Sequence, residues 1–282
     1  MQAIQRNNNA EPRWSRPKLI TVFALISCLA IYGVTISLFT PLLSLLLEQK
    51  GVNATRIGVL AMAAPTGVLI GSFLMPRLMR LVEGRRLLMI GVVVEVVLIF
   101  ALMITESYSS WLVIRFLAGL TGTVLFIVSE TWMVDISPEK DRGKIMGLYN
   151  TTLALSFAVG PLILSLTGAE RTAPFLIGVT LMAVAGIPLF FAGRYRVVSA
   201  EKPRFGVLGF TLVAPLLVWA IFVGAFKDLA TSSLLPVYGL RVGLTESSAA
   251  LMLFFGAFGA AVMQLPIGWA ADHYSARKRS EE

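Results

Sequence analysis

Histidine and cysteine are almost missing from this chain of 282 residues, which has one of each, His273 and Cys28. A lone histidine leaves no His-based metal cluster, and a lone cysteine leaves no disulfide framework. No HExxH or GxSxG pattern occurs, and no polar segment is long enough to be a catalytic domain outside the apolar runs. No enzyme, metal or cofactor is therefore expected. Charge is scarce as well. Charged residues make up 14% of the chain against 56% hydrophobic, with a mean hydropathy of +0.79, which excludes an ordinary water-soluble domain. Also absent are the alternating segments of about ten residues that build a membrane β-barrel.

What the chain does have is apolar length. About 20 apolar residues in a helix cross a hydrocarbon layer about 30 Å thick. Eight such runs stand at roughly 19–47, 57–75, 87–105, 111–134, 145–167, 174–193, 208–237 and 247–270. They are apolar on every face, so the predicted fold class is an all-α membrane protein with eight transmembrane helices. The first run exceeds the 7–15 residues of a signal-peptide core and leads into further spans, so no cleavage is expected.

The formal charge of +8 is a topology signal, and no nucleic-acid partner is expected. Of the 24 Lys and Arg residues, 18 lie in segments 1–18, 76–86, 135–144, 194–204 and 271–282. The alternate connections carry only Lys50, Arg56, Arg171 and Arg241. The positive-inside rule then places the N-terminus and the C-terminal tail in the cytoplasm, with the chain spanning a plasma membrane, the inner membrane in a bacterium. Asn53-Ala54-Thr55 is formally a glycosylation sequon, but it hugs the membrane too closely for an acceptor.

The chain also repeats itself. Shifted by 192 positions, Gly243 falls on Gly51, Gly259 on Gly67, and Arg277-Lys278 on Arg85-Arg86. A repeat of about 190 residues holding six spans marks a transporter built from two parallel halves. The expected division is a cytoplasmic lead-in 1–18, a six-helix bundle 19–193, a cytoplasmic linker 194–207, the first two helices of a second bundle 208–270, and a cytoplasmic tail 271–282.

Polar residues inside the spans are candidates for function, because lipid disfavours each by several kcal/mol. Glu95 lies in the middle of span 3, either as a functional carboxyl or as a protonated one bonded to a neighbouring helix. Arg115, Gly119 and Gly122 share one face of span 4, where two bare glycines invite close approach of another helix. Glu130 returns to within about 60° of that face, about 22 Å along the axis, so the face is expected to line a hydrated cavity. Asp135 points elsewhere and is expected only to end the helix. In span 7, Lys227 and Asp228 are adjacent and so diverge by about 100°; each is expected to have a separate partner. Gly160-Pro161 in span 5 marks a kink or close packing. In the basic turn 76–86, guanidinium groups such as those of Arg85 and Arg86 can bond carbonyls at helix ends and latch one arrangement of the bundle, or simply anchor topology.

These motifs resemble those of the major facilitator superfamily. Gly268-x-x-x-Asp272-His273-x-Ser275-x-Arg277-Lys278 is similar to the loop between the second and third helix of each half, with His273 for the usual basic residue and Ser275 for the usual glycine. Arg115-x-x-x-Gly119-x-x-Gly122 resembles the arginine motif of the fourth helix, and Gly160-Pro161 the gating-associated motif of the fifth. Ser129-Glu130-Thr131-Trp132, Leu235-Pro236-Val237-Tyr238 and Gln264-Leu265-Pro266-Ile267-Gly268-Trp269 look more narrowly like the YcaD-like branch of that family. In the first-half loop Pro76 and Arg80 stand where the family has Gly and Asp, so its helix-capping acid is absent there. The family has twelve helices, and this chain supplies eight.

The resemblance implies alternating access of a small-molecule substrate, with protons as the candidate coupling ion. Arg115, Glu95, Glu130, Lys227 and Asp228 would face the pathway, with Glu130 or Asp228 carrying the proton. The repeat carries a further expectation: a basic turn at 277–279 should lead into a third apolar span, as Arg85-Arg86 does. On that reading the chain lacks the last four helices of its second half, and the alternative function is a truncated or split fragment that needs a missing C-terminal half.

Overall fold

The computed structural model describes residues 14–170, 172–194, 196 and 212–279, with the backbone alone described over 264–279. The helices in chain order are α1 (Arg16–Gln49), α2 (Ala54–Leu81), α3 (Gly84–Ile104), α4 (Tyr108–Ile136), α5 (Glu139–Thr167), α6 (Ala173–Ala185), α7 (Ile187–Phe191), α8 (Pro215–Arg241) and α9 (Glu246–Arg279). With α6 and α7 counted as one span broken at Gly186, eight of them are long and apolar enough to cross a membrane. The protein is an all-α, multi-pass membrane protein.

At the centre is α1. Every residue from Ser37 to Leu47 is buried, because α5, α6, α7 and α8 pack round it while α2 and α4 touch it. Its hydroxyls do not stay bare in this apolar setting. Thr35, Thr40 and Ser44 each donate to the carbonyl four residues back, at 2.9, 2.9 and 3.1 Å. The outer helices show the opposite pattern. On α3, Ile90, Val93, Val97 and Phe100 are more than half exposed and recur at near-helical spacing, a lipid-facing stripe opposite the buried Glu95 face.

Close packing rests on glycine. A Cβ on Gly67 of α2 would overlap the Phe116 carbonyl oxygen of α4, and one on Gly119 would overlap the Ala64 carbonyl of α2. The two helices therefore meet backbone to backbone. Gly160 of α5 plays the same part against Ser37 and Leu38 of α1, and α5 runs unbroken through Pro161. Close packing, one of the two expectations for that motif, is met.

The repeat is visible in the turns. Gly51 and Gly243 both have positive φ, +71° and +89°, the left-handed cap that glycine adopts without strain. Val52 N–H donates to Leu47 at 3.0 Å, and Leu244 N–H donates to Gly239 at 3.0 Å. The next helices start alike. Asn53 caps α2 by accepting from Arg56 N–H at 2.9 Å, and Thr245 accepts from Ser248 N–H at 3.2 Å. Each pair is 192 residues apart.

Two expected boundaries are corrected. The helix α2 does not stop at Pro76 but runs to Leu81, leaving only Val82 and Glu83 before α3. Arg80 Nε donates to the Pro76 carbonyl at 3.0 Å, so Arg77 and Arg80 sit on the helix and not in a turn. Likewise the stretch 268–278 is not a turn: α9 continues through it to Arg279, where alanines favour helix and a basic end suits the helix dipole. Of the expected linker 194–207, all but residues 194 and 196 lies outside the described residues.

Candidate functional site

Between α1, α2, α3 and α4 lies a cavity of about 170 Å³, closed on one side by Leu229 of α8. Its charged lining consists of two residues the sequence singles out, Glu95 and Arg115, which are 3% and 8% exposed. Arg115 Nη2 donates to Thr40 Oγ1 at 3.2 Å. Oε1 of Glu95 is buried with no hydrogen-bond partner. A carboxylate oxygen left bare inside an apolar bundle is unfavourable, and such sites in membrane helices mark pathways for solutes or protons. Tyr32, Thr35 and Thr40 of α1 complete the polar wall.

The α4 glycines set this geometry. Gly119 lets α2 close on one side, and a Cβ on Gly122 would overlap the Tyr32 hydroxyl of α1. One glycine face thus serves two neighbours, which brings α1 and α2 against the arginine.

Other expected site residues lie elsewhere. Glu130 is exposed and accepts a hydrogen bond from Tyr149 of α5 at 2.8 Å, outside the cavity lining. Lys227 and Asp228 do not find separate partners. They pair with each other at 2.7 Å, with side chains 71% and 73% exposed. The flaw in the expectation is physical: Cβ directions diverge by about 100°, but four flexible methylenes on lysine span that gap. Asp135 is exposed near the end of α4.

At the α3 end of the bundle, Arg85 donates to the carbonyls of Phe190 and Ala192 at 2.6 and 3.2 Å, the carbonyl latch its position suggests, at the C-terminus of α7. Arg86 is 77% exposed in a loose pair with Glu83 at 3.8 Å. The side chains of Gly268, Asp272, Arg277 and Lys278 fall in the stretch described by backbone alone.

A second cluster was not anticipated. At the opposite end of the bundle, Arg241 of α8 holds Glu48 of α1 in a two-point ion pair, Nε to Oε1 at 2.7 Å and Nη2 to Oε2 at 2.9 Å. Glu246 of α9 accepts from the Ala169 backbone at 2.7 Å and from Gln49. These bonds join α8 and α9 to the rest of the bundle at one end only. Buried residues of α8 are confined to Ser233, Pro236, Val237 and Gly239, whereas Leu216, Trp219 and Phe226 are 85%, 65% and 66% exposed. The helix is clamped at its Arg241 end and largely exposed toward its Pro215 end. One signal could have found this clamp: Arg241 is among the few basic residues outside the basic connections, and it ends the repeat partner of α1.

A profile of the Major Facilitator Superfamily matches residues 25–280. The chain is 25% identical over 261 residues to the uncharacterized MFS-type transporter YfkF of Bacillus subtilis, covering 90% of this chain and 67% of that protein. It is 22% identical over 265 residues to the uncharacterized MFS-type transporter YcaD of Escherichia coli O7:K1, with 90% and 67% covered. In backbone shape it is similar to a D-xylose-proton symporter (TM-score 0.68, 13% identity, 91% of this chain and 69% of that one). The nucleoside transporter NupG is similar too (TM-score 0.67, 12% identity, 92% and 69%). With that profile running through the cavity helices and both repeat turns, this protein, with eight candidate spans among its described residues, belongs to the Major Facilitator Superfamily of membrane transporters.

Proposed function

We propose that the protein carries a small organic solute across a bacterial inner membrane by alternating access, coupled to protons, with its N-terminus in the cytoplasm. The observation that carries this reading is the cavity holding buried Glu95 and Arg115 beside α8, which is tied to α1 at its Arg241 end and largely exposed toward its Pro215 end. With the basic segments inside, the Glu48–Arg241 end faces outward and is shut, and the cavity opens toward the cytoplasm. The parts of the family motifs would follow: Arg115 and Glu95 line the pathway, Gly160-Pro161 gives α5 a smooth contact on α1, and Arg85 steadies the inner end. Among the carboxyls, Glu95 suits the proton better than Glu130 or Asp228, because it alone stands on the cavity wall. A carboxyl neutral in one conformation and charged in the other links proton movement to the cycle.

Alternation requires the clamp to part. Spin labels at Lys50→Cys and Val242→Cys, just beyond the clamp partners so that Glu48 and Arg241 stay intact, in a chain whose buried Cys28 is replaced by alanine, should give a short distance together with a second, longer one. One invariant distance at every pH would rule out the cycle. Orientation has its own check: cysteines at Ser15 and Ser280 should label only from the cytoplasmic face, and labelling of either from outside would reverse the assignment.

One observation favours a second reading, in which these residues work only with further helices. Gly67 is filled by α4, but its repeat partner Gly259 on α9 has nothing within 4 Å, so a glycine suited to a close helix contact stands open. We infer that a helix resembling α4 seats there, supplied by a further segment of the protein or by a partner. Transport by the purified 282-residue chain alone would refute this.

A further inference from the structure

We infer that the cavity takes a small zwitterion, a solute with one cationic and one anionic group on a compact apolar body. The inference rests on this cavity being the solute site. Glu95 and Arg115 are its charged lining, both more than nine-tenths buried, and the protein leaves capacity on each. Oε1 of Glu95 has no partner. The bond from Arg115 to Thr40 at 3.2 Å uses one of the five N–H donors of a guanidinium.

A monoanion would satisfy the guanidinium and leave Oε1 bare beside a second negative charge. A monocation would do the reverse. A buried charge lacking its partner is strongly unfavourable; a neutral polar solute could hydrogen-bond both groups, but a ligand bearing both charges meets each buried charge with its opposite and adds no net charge. The remaining wall fixes the body. Pro65 and Val68 of α2, Leu98 and Ile99 of α3 and Leu229 of α8 are apolar, which leaves the middle of the solute no polar contact there. The volume of about 170 Å³ is little more than the roughly 150 Å³ of an engineered cavity that admits benzene. That suits a solute with the bulk of one small side chain and excludes a nucleoside. The solute-bound form is thus the one with Glu95 as carboxylate, with Arg115 and Tyr32 facing it from α4 and α1.

The test is titration calorimetry of the purified 282-residue chain with two matched sets: L-leucine, isopentylamine and 4-methylpentanoate, then 5-aminovalerate, pentylamine and pentanoate. At least one zwitterion should bind about tenfold or more tighter than both of its singly charged analogues, and Glu95→Gln or Arg115→Gln should cut that margin to about twofold or less. A singly charged ligand binding as tightly as its zwitterion overturns the proposal, as does failure of both zwitterions to bind at millimolar concentration. If the glutamine variants do not fold, the order of ligands on the unaltered chain decides. Failure here leaves alternating access standing, since the distance between positions 50 and 242 is read without any ligand.

Discussion

Replacing Gly119 by leucine will lower the melting temperature of the purified protein by about 10 °C, taking overpacking at about 3 kcal/mol and a shift of a few degrees per kcal/mol. The added side chain has no direction of escape, because its first carbon already overlaps the backbone carbonyl of Ala64. Backbone cannot rotate away as a flexible side chain can, and α2 is held on the other side of the same seam by Gly67 against Phe116. The helices must separate, which opens the wall of the cavity that Ala64 and Arg115 share. Leucine at Gly147 of α5, which has open space around it, is the matched control and should shift the melting temperature by no more than a few degrees. Equal melting of the two variants would show that the α2–α4 seam is not packed as described.

Arg115→Ala will reduce transport about 10- to 100-fold in whatever assembly transports, as expected for losing charge-assisted bonds to a buried solute. Asp135→Ala will leave most of it. The contrast follows from position on one helix: Arg115 is 8% exposed on the cavity wall, whereas Asp135 is exposed at the far end of α4. Equal loss in the two variants, at matched protein level, would remove the argument that the Arg115 face is the functional one.

Much of this architecture was legible in the sequence because lipid enforces a simple code. Eight apolar runs gave eight spans, and the 192-residue repeat reappears as paired glycine caps at Gly51 and Gly243. Arg115 and Glu95 were legible for the same reason, since an ionisable group in an apolar run is a candidate for an inward face, although the same rule misplaced Glu130, Lys227 and Asp228, which are exposed. That they share one cavity was expected only from the family resemblance, because it depends on how α3 and α4 rotate against each other, and no spacing within either helix records that. Helix ends were misread where local signals are weak in a membrane. Pro76 ends no helix, because α2 carries on to Leu81 around it. The pairing of Lys227 with Asp228 was missed by reasoning from Cβ directions alone, and the Glu48–Arg241 clamp because it joins residues 193 apart.

The central claim is that the cavity at Glu95 and Arg115 is a water-reachable solute site open to one side of the membrane. A single cysteine at Ala118, which lines the cavity, in a chain with Cys28→Ala, tests it directly by labelling with a small membrane-impermeant thiol reagent in sealed vesicles of each orientation. The account predicts reaction from the cytoplasmic face and little from the outer face, with the outer face gaining reactivity when Glu48→Gln breaks the clamp. A thiol at Ala118 that reacts from neither face, or equally from the outer face with the clamp intact, would contradict it.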